Sequence, residues 1–450
     1  MRLNLKKVFA ALAFVVFFWL IITYSPVMEV PRPMFRKGSN IGDIEKRILK
    51  LEKEIGTQSS EITRLLDTVK EIQKRKSTTK DEMYEIQVLE RLKNEQGRLL
   101  PPPSNPVLPV LVIACDRVTV KRCLDNLIKF RPSKETFPIV VSQDCNHNAT
   151  YQVIKQFTDA DPSITVVRQP DQSEVVLPRQ KIKFRGYYKI ARHYRFALNH
   201  VFTTLKHESV IIVEDDLDIS PDFFEYFLGT YPLLLNDPSI WCISAWNDNG
   251  KRDVIDLAHP ELLHRTDFFP GLGWLLRRES WLELEPNWPP AFFDDWLRNP
   301  ENTRGRACIR PEVSRTYSFG KVGVSKGLFF DLHLRHMQLN TQFVEFTKLN
   351  LTYLLKENYD EALTQAVAAA QKMSADEVMT SRAPAAGAVR VPYMDARSFQ
   401  KAAKKLGLMD DFRSGIPRTA YFGIVTCFVR GRRVYLAPNF NWSQYDPSWQ

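Results

Sequence analysis

The chain has 450 residues, 44% hydrophobic, 25% charged and 12% aromatic, a balance that excludes wholesale disorder, collagen and a polytopic membrane protein. The net charge of +10 would suit a nucleic-acid partner, but residues 1–105 hold 19 Lys and Arg against 13 Asp and Glu. The rest is close to neutral for its size and has no basic-aromatic stripe to track phosphates, so no nucleic-acid partner is expected.

Three of the first seven residues are basic, and an uncharged run follows from Val8 to Tyr24. At 1.5 Å per residue this run covers most of a ~30 Å hydrocarbon core and reads as a single membrane anchor, residues 8–24. Phe17-Phe18-Trp19-Leu20-Ile21-Ile22 is long and bulky, and no small-x-small pattern follows before Pro26, which argues against a cleaved signal peptide. The basic flank puts residues 1–7 in the cytoplasm and everything after Ser25 across the membrane. From Ile41 an apolar register runs through Ile44, Ile48, Leu51, Ile55, Ile62, Leu65, Val69 and Ile72. It is a heptad seam, so residues 25–105 read as a stem with a self-associating coiled coil that would pair two copies of the chain. Pro101-Pro102-Pro103, Pro106 and Pro109 end the helical pattern.

The body then alternates. Apolar, β-branched runs at Val107–Ala114, Phe137–Ser142, Ile164–Arg168, Ser209–Val213 and Trp241–Ala245 predict strands. Helix-periodic stretches at Val118–Phe130, Tyr187–Phe202 and Pro221–Leu235 lie between them. This order predicts an α/β fold with a mostly parallel sheet covered by helices on both faces. Ligands of such sheets bind beyond the carboxyl ends of the strands. The polar residues there are Cys115-Asp116-Arg117, Gln143-Asp144-Cys145, Glu214-Asp215-Asp216 and Asn247-Asp248-Asn249. No GxGxxG follows the first strand, and GxxxxGK[ST] and HExxH do not occur, so dinucleotide, P-loop and zincin chemistry lack their residues.

Glu214-Asp215-Asp216 sits directly past a buried strand, where carboxylates are costly unless paired with a cation. The next helix has its own cap in Ser220-Pro221-Asp222, which leaves the triplet free to bind a hard divalent ion such as Mn²⁺ or Mg²⁺. A metal without a P-loop fits a use in which the ion bridges a diphosphate and makes it a better leaving group, as in sugar-nucleotide glycosyl transfer. The blocks GYYKIARHYRFAL, VEDDLDISPDFFEYF, CISAWNDNG, ELLHRTDFFPGLGWLL, FFDDWLR and RGRACIRPEVSRT closely resemble the N-acetylglucosaminyltransferase I family from about Pro106 to Gln450. The N-terminal arm shares only that family's layout of tail, anchor and stem.

The resemblance implies a GT-A-type, Rossmann-like nucleotide-sugar transferase domain at residues 106–330, a linker at 331–350 and a smaller C-terminal α+β domain at 351–450. It implies one divalent ion, Mn²⁺, with Asp216 as the protein's only direct metal ligand, Asp215 as the ribose contact and Glu214 as a contact to the transferred sugar. Arg117, Asp144 and His193 match positions that hold the uridine part. Asp294 matches the catalytic base, as inverting transfer needs one carboxylate opposite the leaving group to take the acceptor's proton. Where the family usually has tryptophan before this aspartate, the chain has Phe293. Leu272 and Ser325 match contacts to the donor, Ser325 within a glycine-containing segment, Tyr317–Phe330, that reads as a lid. The family positions pair Cys115 with Cys145 and Cys242 with Cys308, leaving Cys123 and Cys427 as thiols.

The activity implied is transfer of N-acetylglucosamine from UDP-N-acetylglucosamine to an oligomannose N-glycan in the Golgi lumen, by a single-pass type II membrane protein. Sequons at Asn148, Asn350 and Asn441 are compatible with a luminal address. The alternatives are transfer to O-linked mannose, against which the lack of a long extra domain counts, and a non-catalytic Golgi lectin or tether, against which Asp216 and Asp294 count. Toward the C-terminus, Glu361–Met373 reads as an Ala-rich helix, and Arg430-Gly431-Arg432-Arg433 as a hairpin turn between Ile424–Val429 and Val434–Leu436. Residues 362–387 match the family poorly and take no functional role.

Overall fold

The structure, a computed structural model, describes residues 106–321, 323, 327, 330–331, 333–381, 387–439 and 442–449. The tail, anchor and coiled-coil stem expected within residues 1–105 lie outside the described residues. Among those described, no helix is long and apolar enough to cross a membrane.

The body opens on the expected alternation of β1 (Val110–Ala114), α1 (Val120–Phe130), β2 (Ile139–Gln143), α2 (Asn148–Ala160), β3 (Ile164–Arg168), α3 (Arg185–Asn199) and β4 (Ser209–Glu214). It continues through β5 (Leu217–Ile219), α4 (Phe223–Asn236), β6 (Ile240–Ser244), β7 (Leu263–Thr266), β8 (Trp274–Arg277) and α5 (Arg278–Leu284). Then come α6 (Phe293–Leu297), α7 (Pro300–Thr303), β9 (Ala307–Pro311) and β10 (Thr316–Ser318). Eight strands form one sheet in the order β3-β2-β1-β4-β8-β6-β9-β7. β8 is antiparallel to β4 and β6, and β7 is antiparallel to β9, so the sheet is mixed where the alternation predicts a mostly parallel one. Both strands are reached through loops without a crossover helix, and antiparallel neighbours need none.

Successive residues of the central strands feed two cores. Val110, Val112, Ile139, Val141, Ile211 and Val213 pack on one face with α1, α2 and α4. Leu111, Ile113, Val140, Val210 and Ile212 pack on the other with α3. Burial on both faces is why these strands read as continuous apolar runs. The chain steps outward from β1 to β3, then returns to pair β4 with the other side of β1. The crevice at that reversal lies at the carboxyl ends of β1 and β4.

The cap expected at Ser220-Pro221 is not formed. α4 starts at Phe223, and the Ser220 hydroxyl donates instead to Asp222 Oδ1 at 2.6 Å. Asp222 has a different duty: fully buried, it accepts from the equally buried Arg315 at 3.1 Å and from Asn340 Nδ2 at 2.9 Å.

The remaining elements are α8 (Lys356–Ala369), β11 (Gln371–Lys372), α9 (Ala375–Thr380), β12 (Val389–Tyr393), α10 (Ala396–Leu406), β13 (Phe412–Arg413), β14 (Ile416–Pro417), β15 (Val425–Val429) and β16 (Arg432–Pro438). A second sheet runs β11-β12-β16-β15. Arg430 and Gly431, with φ of 53° and 79°, form the two-residue turn between β15 and β16, in the left-handed geometry that matches strand twist. The Ala-rich helix starts at Lys356, ahead of its expected start, and its Tyr359, Leu363 and Val367 join the first core.

Buried polar contacts tie the second sheet to the first. Glu312, just past β9, accepts from the Asp256 N–H at 2.8 Å and from Arg433 of β16 at 3.0 Å, and its other oxygen lies 2.6 Å from His264 Nε2 of β7. Asp248 pairs with Arg418 at 2.6 Å, and Asn249 donates to Thr419 at 3.0 Å. Asn247-Asp248-Asn249 is therefore a structural joint, despite its place after a strand.

Asp222→Ala leaves the Arg315 guanidinium buried without its carboxylate and is expected to lower the unfolding free energy by about 3–5 kcal/mol in urea titration. Burial pushes the His264 imidazole down to about 4, against the pull of Glu312. The folded state then binds fewer protons than the unfolded one between about pH 6.5 and 4, so stability present above that window is lost as pH falls through it. His264→Gln is expected to remove about 2 kcal/mol of the stability difference between pH 7 and pH 5, read by the same titration.

Candidate active site

Arg117, two residues past the Cys115 that follows β1, reaches across to the end of β4. Its guanidinium donates to Asp215 and, at 2.6 Å, to Asp216. Burial alone would lower the pKa of Arg117, but the two carboxylates outweigh it and raise it well above its ordinary value. Asp215 is 1% exposed and accepts from the Cys115 N–H at 3.4 Å as well. Burial lifts its carboxyl to about 6 against the opposing Arg117 charge. Glu214 accepts from the Tyr194 hydroxyl of α3 at 2.7 Å, and burial, reinforced by the Asp216 charge, raises it to about 7.

Asp216 is different from its neighbours. One oxygen takes the Arg117 bond, while Oδ1 is buried and has no hydrogen-bond partner among the described residues. The Gly320 backbone closes over the carboxylate so tightly that a Cβ there would lie 1.8 Å from Asp216 Oδ2. Among the described residues, no three His, Cys, Asp or Glu side chains gather to hold a metal. A lone orphaned carboxylate oxygen fits a hard cation whose other ligands come from substrate and water.

Asp144, past β2, is 4% exposed; its N–H donates to the Ala114 carbonyl at 2.9 Å, and its Oδ1 accepts from Gln172 at 3.0 Å. His193 of α3 is 3% exposed, with Nε2 2.8 Å from the Ser142 hydroxyl of β2. Burial lowers its pKa to about 4 although Asp144 pulls the other way, so the ring is neutral at physiological pH. Cys115 and Cys145 are joined by a disulfide with their Cα atoms 5.1 Å apart, which links the segments carrying Arg117 and Asp144. Cys242 and Cys308 are joined between β6 and β9, and Cys123 and Cys427 are buried thiols, the pairing the resemblance implies.

Leu272 lies between Gly271 and Gly273, and all three have positive φ. The Leu272 carbonyl accepts from Thr316 at 2.6 Å, and a Cβ on Gly273 would meet that threonine's methyl group at 2.6 Å. The turn is thereby fixed against β10. Asp294 and Asp295 open the short helix α6 and are both half exposed. Arg298, one turn later and 6% exposed, donates to Asp294 at 3.1 Å, to Asp295 at 2.8 Å and to the Phe269 carbonyl at 3.1 Å. Phe293 packs its ring 4.2 Å from that of Tyr194 and 5.4 Å from that of Trp288, so it fills a core position. Burial raises the Tyr194 hydroxyl far above its usual range, and the charges of Glu214, Asp216 and Asp294 all reinforce the effect. Ser325 lies outside the described residues.

The structure thus brings Arg117, Glu214, Asp215 and Asp216 into contact at one sheet edge, joins Asp144 and His193 beside them, and sets Asp294 within electrostatic reach of Tyr194. Sequence reasoning missed Tyr194, Arg298, Ser142 and Gly320. Of these, only Arg298 leaves a signal, a basic residue four positions after an acid on a helix.

Comparison with known proteins first gives the class: the chain is a glycosyltransferase. Residues 8–449 match the family model described as the GNT-I family, and the chain belongs to that family. An Arabidopsis thaliana protein named alpha-1,3-mannosyl-glycoprotein 2-beta-N-acetylglucosaminyltransferase is 38% identical over 334 residues, which cover 74% of each chain. Among solved structures, the chain is distantly similar to a mannosyltransferase of Pyrobaculum calidifontis in complex with GDP-Man and Mn²⁺, with a TM-score of 0.33, 16% identity, and 51% of this chain and 61% of that one covered. Residues 1–349 of S. aureus TarS give a TM-score of 0.32 and 12% identity over 47% and 60% of the two chains. Likenesses this distant carry no argument.

Gly320→Ala would drive a methyl group into the Asp216 carboxylate. It is expected to weaken binding of UDP-N-acetylglucosamine in the presence of Mn²⁺ by at least roughly tenfold in titration calorimetry, while the melting temperature stays within a few degrees.

Proposed function

We propose that this protein transfers N-acetylglucosamine from UDP-N-acetylglucosamine, in β-1,2 linkage and with inversion, to the α-1,3-linked mannose of an oligomannose N-glycan, the step that starts hybrid and complex N-glycans. Family membership and the relative's name support the reaction. The structural observation that carries it is the buried Asp216 Oδ1 past the end of β4, which has no hydrogen-bond partner among the described residues and so fits a hard cation.

In this reading the neutral His193, its Nε2 beside the Ser142 hydroxyl, hydrogen-bonds a uracil carbonyl, and Asp144 accepts from the ring N–H. Asp215 accepts from the ribose hydroxyls, and Glu214, steadied by Tyr194, contacts the sugar being transferred. Asp216 would hold one divalent ion, Mn²⁺, through its free oxygen, and such an ion neutralises the leaving diphosphate. Leu272 presents its backbone and side chain to the sugar, and Ser325 contacts the donor from a lid. Arg298 orients the Asp294 carboxylate, which takes the proton from the mannose O2 as that oxygen attacks the anomeric carbon from the side opposite the diphosphate. A metal-neutralised diphosphate needs no second acid to leave.

The same reading includes the layout of a Golgi type II membrane protein: tail 1–7, anchor 8–24, self-associating stem 25–105, catalytic domain 106–330, linker 331–350 and C-terminal domain 351–450. Two disulfides, which persist in oxidising compartments, support a luminal address for the body.

The test uses the full chain in detergent. UDP release with Mn²⁺ should depend on a five-mannose N-glycan acceptor and stop on addition of chelator. Asp216→Ala is expected to weaken metal-dependent donor binding. Asp294→Asn is expected to leave donor binding nearly intact and lower kcat by ~10²–10⁴-fold. Equal loss of donor binding in both variants would overturn the role assignment.

A further inference from the structure

Beside Asp294 lies a group of three aromatic rings that the steps above do not use. Phe184 leads into α3, Tyr187 follows within its first turn, and Phe292 immediately precedes α6. The Tyr187 and Phe292 rings stack with centroids 4.7 Å apart and planes at 26°, and Phe184 meets Phe292 edge-on at 5.3 Å. All three side chains are part-exposed, unlike the ring cluster of Tyr194, Trp288 and Phe293 just beneath, which is buried.

Two details set the three apart from ordinary packing. Phe292 is held at φ 53°, ψ 47°, a left-handed conformation that a bulky residue adopts only where its surroundings enforce it. Tyr194, Trp281 and Trp288 each give their polar atom to a partner, at 2.7, 2.8 and 2.9 Å. The Tyr187 hydroxyl has no such partner among the described residues. Burial raises its pKa, and the charges of Asp294 and Asp295 raise it further, so this hydroxyl stays protonated as a donor within electrostatic reach of those carboxylates.

We propose that Phe184, Tyr187 and Phe292 form the platform on which the acceptor's reacting sugar ring lies, an inference that rests on the transferase reading. A pyranose has one face of C–H groups, weakly positive, that packs on the negative face of an aromatic ring and leaves its hydroxyls at the rim. A ring seated on this group lies near Asp294, whose charge Tyr187 feels, and the free Tyr187 hydroxyl is placed to hydrogen-bond a sugar oxygen. The platform holds the acceptor ring, and the strand ends hold the donor.

The test compares Phe292→Leu, Tyr187→Leu and Phe292→Tyr in the full chain, by transfer kinetics and by calorimetric titration of the five-mannose glycan in the presence of UDP and Mn²⁺. The two leucine variants are expected to raise the acceptor KM and weaken glycan binding roughly tenfold, with donor KM and kcat within about twofold. Phe292→Tyr keeps the ring and should retain both. An unchanged acceptor KM, or donor and acceptor KM rising together, would overturn the platform. Should the unsubstituted protein bind donor but transfer nothing to the glycan, the transferase reading fails. The titration then decides the platform separately, with ring-dependent glycan binding supporting it and ring-independent or absent binding overturning it.

Discussion

Three consecutive carboxylates at the end of a buried strand are tolerable only because one guanidinium faces them. Arg117 reaches from the neighbouring strand end to Asp215 and Asp216, while Tyr194 donates to Glu214 from the helix above. Removal from water disfavours each charge and raises Asp215 to about 6 and Glu214 to about 7, against the attraction of Arg117 at Asp215 and, at Glu214, the Tyr194 hydrogen bond and then Arg117. Asp216 ends the triplet, with one oxygen satisfied and one left without a partner among the described residues.

How much could be read beforehand depended on what each segment buries. β1, β2, β4 and β6 are enclosed on both faces, so their apolar runs stand out to within a few residues, and the half-buried edge strand β3 stands out by its β-branched residues. β7, by contrast, carries His264 and Arg265 into the interior, where Arg265 pairs with Asp237 at 2.8 Å and His264 meets Glu312. β9 likewise carries the buried Arg310. A strand whose inward side chains are charged has no hydrophobic period to detect, because its partners lie tens of residues away. The antiparallel insertion of β8 was hidden for the related reason that register and direction are set by loops, not by composition.

The site divides the same way. The topology of α/β sheets marks the positions just past the visible strands, Arg117, Asp144 and the acidic triplet, but it marks Asn247-Asp248-Asn249 equally, and only the family resemblance tells them apart. Asp294 was legible only through family resemblance, since a five-residue helix headed by two acids looks like ordinary helix-end chemistry. Tyr194 and Ser142 could not be found at all: each acts on a residue brought near by folding, Tyr194 on Glu214 and Ser142 on His193. Phe293, where the family usually has tryptophan, packs between Tyr194 and Trp288, next in sequence to Asp294.

The Cys115–Cys145 link has a consequence for how such a protein can change over generations. It fastens together the two strand ends that carry Arg117 and Asp144, whereas Asp294 and Phe292 hang on a short helix anchored mainly through Arg298 and neighbouring rings. One side of the candidate site is therefore cross-linked into the sheet, and the other is held by non-covalent contacts. Single substitutions can shift Asp294 and Phe292 more easily than they can part Arg117 from Asp144.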